Sequence, residues 1–178
     1  ANILGSCYGT TGPLSINPET NTPWYHDFPE VTVRDMVRAH ELLREHLDIN
    51  KIFVVTGGSI GGFQALEWSI MNPGLFVNLV LIASSAKASP WAIAFNESQR
   101  MAIDADPSYQ EKKETAGING MKVARSIALL SYRNYQTYVM TQSEEDNEKL
   151  DNYKAISYQQ YQGEKLARRF NAFSYYKL

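Results

Sequence analysis

A serine lies between two pairs of glycines in Val54-Val55-Thr56-Gly57-Gly58-Ser59-Ile60-Gly61-Gly62-Phe63. Its centre, Gly57-Gly58-Ser59-Ile60-Gly61, has G-x-S-x-G spacing, the pattern of a nucleophile elbow. In such an elbow a strained strand-to-helix turn lifts the serine hydroxyl, and the N–H of the next residue helps to hold an oxyanion. The pattern assigns Ser59 as nucleophile, Ile60 as a backbone oxyanion donor, and Gly57, Gly58, Gly61 and Gly62 as elbow glycines. Side chains two residues either side of Ser59, at 57 and 61, are expected to collide with the neighbouring strand and helix. The competing reading is a serine that merely caps a helix.

A serine hydroxyl also needs a base, and in this arrangement the acid and the histidine follow the nucleophile in chain order. His26, His40 and His46 all precede Ser59. Without a downstream imidazole, the later carboxylates Asp104, Asp106, Asp146 and Asp151 have no triad role to fill. His40 falls on an apolar helix face and reads as a packed, hydrogen-bonded histidine, and His46 falls off that face and reads as solvated. Cys7 is the one cysteine, with no neighbouring Cys or His at ligand spacing, so it reads as a structural thiol. No His, Cys or carboxylate cluster has metal-ligand spacing, so no metal is expected. The glycines near the start precede no Gly-Lys-Ser/Thr and open no helix as GxGxxG, which argues against a phosphate cradle.

The elements around the serine have the order that an elbow requires. Lys51-Ile52-Phe53-Val54-Val55-Thr56 is a β-branched and aromatic run without alternation, expected of a strand covered on both faces. A helix from Ile60 to Met71 follows, stopped by Asn72-Pro73. Val77 to Ala83 reads as a second buried strand, so the two strands are expected to be parallel with a helical crossover. Upstream, Thr32-Val33-Arg34-Asp35 carries a capping signature, and Val33, Met36, Val37, His40, Leu43 and Leu47 fall on one helical stripe. Residues 5–30, rich in glycine and proline, read as a long loop. After Ser84 the pattern turns helical, roughly over 90–105, 116–131 and 145–170. The expected organisation is an α/β core carrying the elbow over 1–83 and a helical cap over 84–178.

Composition bounds the function classes. The 178 residues are 44% hydrophobic and 20% charged with a net charge of -2, which fits one cored globular domain and offers no basic stripe for nucleic acid. No apolar run reaches the roughly 18 residues of a membrane span, and residues 1–5 lack a leader pattern, so a cytoplasmic location is expected. Asn2-Ile3-Leu4 reads as the tail of a strand and 171–178 end without a stop signal, so a longer parent chain is expected.

Five blocks in order resemble a known family: "NILGSCYGTTGPLSINP" at 2–18, "FPEVTVRDMVRAHELLREHLDI" at 28–49, "GGSIGGFQALEW" at 57–68, "IAFNESQRMAI" at 93–103 and "YQGEKLARRFNAFSY" at 161–175. They resemble the homoserine O-acyltransferases of the α/β-hydrolase superfamily. Ile60 and Phe63 depart from it where methionine is expected. The resemblance implies an α/β-hydrolase core with a partial parallel sheet and a helical lid. It implies a ping-pong acyl transfer with acetyl-CoA as co-substrate, no bound cofactor, and L-homoserine as acceptor. The product would be O-acetyl-L-homoserine, for methionine biosynthesis. By matching the family's Ala-Arg motif, Arg125 is the implied clamp for the amino acid's carboxylate, with Tyr132 and Tyr138 near it as pocket residues. The family's aspartate and histidine lie beyond residue 178, its first strands and second oxyanion donor lie before residue 1, and its members pair as homodimers through the helical cap. Succinyl transfer, a serine acceptor, or an esterase on the same fold are the alternatives.

Overall fold

The computed structural model describes residues 2–145 and 148–178. In chain order its elements are β1 (Ile16–Asn17), β2 (Thr22–Pro23), α1 (Val33–His46), β3 (Ile52–Gly58), α2 (Ile60–Met71), β4 (Phe76–Ile82), α3 (Pro90–Asp104), α4 (Ile118–Ser131), α5 (Tyr135–Gln142), α6 (Lys154–Ala167) and α7 (Ala172–Lys177). They divide into two compact units, residues 1–11 with 29–89, and residues 12–28 with 90–178.

The first unit holds the elbow. The capping box at the start of α1 forms as its sequence predicts: Asp35 N–H donates to the Thr32 hydroxyl at 3.2 Å, and Thr32 N–H donates to Asp35 Oδ2 at 3.0 Å. β3 and β4 pair in parallel, from Ile52 opposite Phe76 to Gly58 opposite Ile82. The expected helix between them packs against both strands, and α1 packs against that helix. Glu41 of α1 ties the two helices, accepting from Arg44 of its own helix at 2.9 Å and from the Trp68 indole of α2.

Two sequence expectations fail here. Leu43 and Leu47 of the α1 stripe are 46% and 56% exposed, because that end of the helix lines a cavity of about 440 Å³ shared with Ile49, Ile52, Val55 and Trp68. The strands are not covered on both faces either: Phe53, Val77 and Ile82 are 74%, 57% and 59% exposed. Runs of apolar residues without alternation encode two covered faces, and in this unit α2 packs against the strands without burying these side chains.

The second unit is helical. Ile103, Tyr109, Met121, Ala124, Leu166 and Phe173 form its core. The expected helix over 145–170 is shorter, covering 154–167, and residues 146 and 147 of that expectation fall outside the described residues. Two helices that the apolar periodicity did not signal, α5 and α7, are started by Asn134 and Asn171, whose side chains accept from backbone N–H groups of the first turn. Residues 12–28, read from sequence with the sheet, pack with the helices because their aromatic side chains find partners there. His26 Nε2 lies 2.7 Å from the Tyr109 carbonyl, and its ring stands edge-on to Tyr109 and Phe173.

Asp106 is the buried polar centre of this unit. Oδ1 accepts from the N–H and hydroxyl of Ser108 at 3.0 and 2.7 Å, and Oδ2 accepts from Asn119 and Gly120 N–H at 3.0 Å each. It thereby caps both a short 3-10 turn and the first turn of α4. Burial pushes its pKa up, but the hydrogen bonds from Gly120, Ser108 and Asn119 outweigh that and hold it below the usual carboxylate range. The stabilisation is therefore present above the unfolded value of about 3.9 and is lost as pH falls through it toward the folded value. Asp106→Ala is expected to cost about 2 kcal/mol in chemical denaturation at pH 7. Asp106→Asn is expected to flatten the acid limb of stability between about pH 5 and 2; equal acid limbs in variant and parent would reject the assignment.

Candidate functional site

Ser59 stands between β3 and α2 with φ 53° and ψ -123°, a strained positive-φ conformation that costs a side-chain-bearing residue about 1–3 kcal/mol. Its backbone is held on every side. Ser59 N–H donates to the Ile82 carbonyl at 2.9 Å, and its own carbonyl accepts from Gly62 N–H at 2.9 Å and Phe63 N–H at 3.2 Å. Ser84 adds a third donor, its hydroxyl lying 2.5 Å from the Ser59 carbonyl. The sequence reading passed over Ser84, although a small polar run just beyond a parallel strand, at the carboxyl end beside the turn, is the place to look for such a brace. The Ser59 side chain caps nothing, which removes the helix-cap alternative. The residue is exposed, and Ile60 N–H, at the first position of α2, has no acceptor among the described residues.

The glycine expectation is half right. A Cβ at Gly57 would lie 2.1 Å from the Gly61 carbonyl oxygen, whereas a Cβ at Gly61 would meet nothing within 4 Å. The second crowded position is Gly62, where a Cβ would lie 2.0 Å from the Ser84 hydroxyl and 3.0 Å from the Gly57 carbonyl oxygen. The close approach is thus between the end of β3, the start of α2 and Ser84. Gly58 sits in ordinary contact, its hypothetical Cβ 3.8 Å from the Ile82 carbonyl oxygen.

No imidazole hydrogen-bonds Ser59 among the described residues. His40 Nε2 lies 2.8 Å from Gln64 Oε1, and Gln64 Nε2 donates to the Ile60 carbonyl at 3.1 Å. Since the amide nitrogen of Gln64 is committed as donor, Nε2–H of His40 is the donor to its oxygen. His40 thereby braces the turn from behind as a satisfied, packed residue, as its place on the α1 stripe predicts, and His46 is exposed.

In the second unit Arg125 is half-buried on α4 with its guanidinium 5.6 Å above the Tyr132 ring. These two predicted pocket residues are brought together. The Tyr138 ring instead packs edge-on against Tyr158 at 6.0 Å. No carboxylate pairs with Arg125 among the described residues. Of the carboxylates considered from sequence, Asp104 accepts from Tyr176, Asp106 holds the α4 cap, Asp151 accepts from Asn152 N–H, and Asp146 lies outside the described residues. Among the described residues no group of His, Cys, Asp and Glu could hold a metal ion, and no helix is long and apolar enough to cross a membrane.

The family described as alpha/beta hydrolase fold matches residues 1–113. The chain belongs to that family. As an α/β-hydrolase chain it is 51% identical over 178 residues to a homoserine O-acetyltransferase of Cyclobacterium marinum, covering 100% of this chain and 50% of that one. The resemblance carried by the five sequence blocks is borne out by that identity. Esterase E22 superposes with a TM-score of 0.86 at 25% identity, over 99% of this chain and 53% of its own. A homoserine O-acetyltransferase from Bacillus anthracis shares the fold with a TM-score of 0.84 at 22% identity, over 94% and 48% of the two chains. The chain spans about half the length of the curated relatives it matches.

The crowding predicts a contrast within the glycines. Gly57→Ala and Gly62→Ala are each expected to lower the stability of this α/β-hydrolase unit by about 1–3 kcal/mol. Gly61→Ala, in open space inside a helix, is expected to be neutral or to add about 0.5–1 kcal/mol. Thermal melts of the three variants check this, and equal losses at 57 and 61 would contradict the geometry.

Proposed function

We propose that Ser59 is the nucleophile of an acyl transfer from acetyl-CoA to the side-chain hydroxyl of L-homoserine. The observation that carries the reading is the strained positive-φ Ser59 backbone at the strand–helix junction, with an exposed side chain and an unused N–H on Ile60 beside it. Ser59 Oγ attacks the thioester carbonyl, its proton passes to a base, and the tetrahedral oxyanion is met by Ile60 N–H and the N-terminal end of α2. Collapse expels the thiolate of coenzyme A and leaves an acetyl-serine. The homoserine hydroxyl then attacks that ester, releasing O-acetyl-L-homoserine and regenerating Ser59. The 51% identity to a homoserine O-acetyltransferase supports homoserine as acceptor.

Arg125 is the proposed clamp for the homoserine carboxylate, since a planar guanidinium matches a carboxylate bidentately. Tyr132 backs it by stacking, and Tyr138 borders the same helical region. Pairing of two copies through the helical unit belongs to the same reading, supported by the exposed apolar side chains of Leu130, Tyr135 and Met140.

Esterase activity is the second reading, favoured by the likeness to esterase E22. The fate of the acyl-serine separates the two. In the whole gene product, acetyl-CoA alone is expected to release a burst of coenzyme A equal to the enzyme concentration, with steady turnover only after L-homoserine is added. Ser59→Ala is expected to remove the burst and lower turnover by about 10⁴-fold or more. Steady acetyl-CoA hydrolysis indifferent to homoserine would replace the transferase by an esterase. The 178-residue chain alone, whose histidines do not serve Ser59, is expected to turn over several orders of magnitude more slowly than ordinary enzymes.

A further inference from the structure

β3 and β4 end side by side. Their register closes with Gly58 opposite Ile82, and the next residue on each chain, Ser59 and Ala83, has a positive φ, 53° and 51°. Such a φ is uncommon for a residue with a Cβ and persists only where surrounding contacts hold it. At Ser59 the turn leaves the side chain exposed. At Ala83 it is followed by Ser84, which is half-buried, its hydroxyl 2.5 Å from the Ser59 carbonyl oxygen and 3.3 Å from that of Ile82. A hydroxyl has one proton to give. The Ile82 oxygen already accepts from Ser59 N–H at 2.9 Å, and the nearer Ser59 oxygen takes the Ser84 proton.

The Ser59 carbonyl and the Ile60 N–H are the two ends of one planar trans amide and point in opposite directions. Whatever holds the oxygen from behind therefore aims the N–H in front. Gly62 and Phe63 N–H hold it from α2, at 2.9 and 3.2 Å, as the first turn of a helix does for its N-cap carbonyl. Ser84 is the donor that comes from another element, and it pins the amide to the end of β4. A donor on the carbonyl also polarises the amide and strengthens its N–H toward an acceptor, by about 10–30% per bond. A Cβ at Gly62 would lie 2.0 Å from the Ser84 oxygen and 2.6 Å from its Cβ, so the glycine leaves the space in which this hydroxyl sits.

We propose that Ser84 is a positioning residue for the oxyanion donor: its hydroxyl fixes the Ser59–Ile60 amide so that Ile60 N–H meets the oxyanion formed at Ser59. The inference rests on the reading of Ser59 as nucleophile. Ser84 acts through the amide and has no contact of its own with the reacting atoms. It serves acylation and deacylation alike, because both pass through an oxyanion in the same place. A donor held in position before the charge develops needs no reorganisation when it does, and its support by a locked neighbour is what keeps such a site from being too loose.

The test is the pre-steady-state release of coenzyme A when the whole gene product is mixed with acetyl-CoA, comparing the parent with Ser84→Ala and Ser84→Thr. Losing an oxyanion donor outright costs about 10²–10³-fold in rate. Loosening one that remains is expected to slow the burst about tenfold in Ser84→Ala, with half-saturation by acetyl-CoA unchanged. The rate constant is read on folded enzyme only, so a loss of amplitude does not imitate this effect. Ser84→Thr keeps the hydroxyl and is expected to restore the parent's rate. A purely structural Ser84 would lower the melt of Ser84→Ala and leave the burst rate where it was, and that result overturns the proposal. A threonine variant as slow as the alanine one overturns it too. If the parent gives no burst, or Ser59→Ala keeps it, the nucleophile reading fails by itself, and the Ile60 amide nitrogen resonance then decides. Its displacement in Ser84→Ala and return in Ser84→Thr sustain the positioning of that N–H, and coincident resonances in all three remove it.

Discussion

Ser59 keeps a backbone conformation that an L-residue adopts only under constraint, and the first unit is organised around the bonds that impose it. The positive-φ turn costs about 1–3 kcal/mol. It is offset by a β-type bond to Ile82 and by a carbonyl that takes three donors, two from the first turn of α2 and one from Ser84. The bond to Ile82 and the one from Ser84 require β3 and β4 in register through Gly58 and Ile82. A side chain at Gly57 or Gly62 would force the backbone or the Ser84 hydroxyl around the turn to shift. Sheet register, helix entry and the exposure of one hydroxyl are therefore a single constraint seen from three sides.

Behind the turn the same unit uses committed donors to fix orientation. Gln64 spends its amide on the Ile60 carbonyl, which assigns His40 as donor and holds the peptide that follows the serine. The second unit repeats the device with a charge. The Asp106 carboxylate satisfies Ser108, Asn119 and Gly120 together, so the start of α4, and with it the placement of Arg125 two turns later, depends on one buried side chain. In both units a polar group with all its partners assigned does the aiming, and apolar packing does the holding.

Much of the elbow was legible in the sequence because its signals are local. The capping box at Thr32, the helix from Ile60 and its stop at Asn72-Pro73 are each written within a few residues and lie where they were read, while the strand read over 51–56 begins at Ile52 and runs on through Gly58. The two strands' exposure was misread because an apolar run reports what a strand is built to touch, and only part of that is supplied by these residues. Residues 12–28 were misassigned because their partner, Tyr109, lies 83 positions from His26, beyond any local pattern. α5 and α7 have eight and six residues, too short for periodicity to show, and only their asparagine caps announce them. Arg125 came through the family resemblance and Tyr132 through its nearness to it in the chain, whereas the Tyr175–Gln99 hydrogen bond, which joins α7 to α3, left no mark in spacing.

The exposed strands have a consequence beyond the site. Ile52–Gly58 and Phe76–Ile82 are seven-residue segments of high β-propensity without a single charge or proline. Natural edges are guarded by lysine, proline or a bulge, and these segments carry no such gatekeeper. They match the compositional signature of cross-β assembly. Wherever those side chains are uncovered, whatever covers them must act before strand-to-strand association between copies, a contest that concentration tilts.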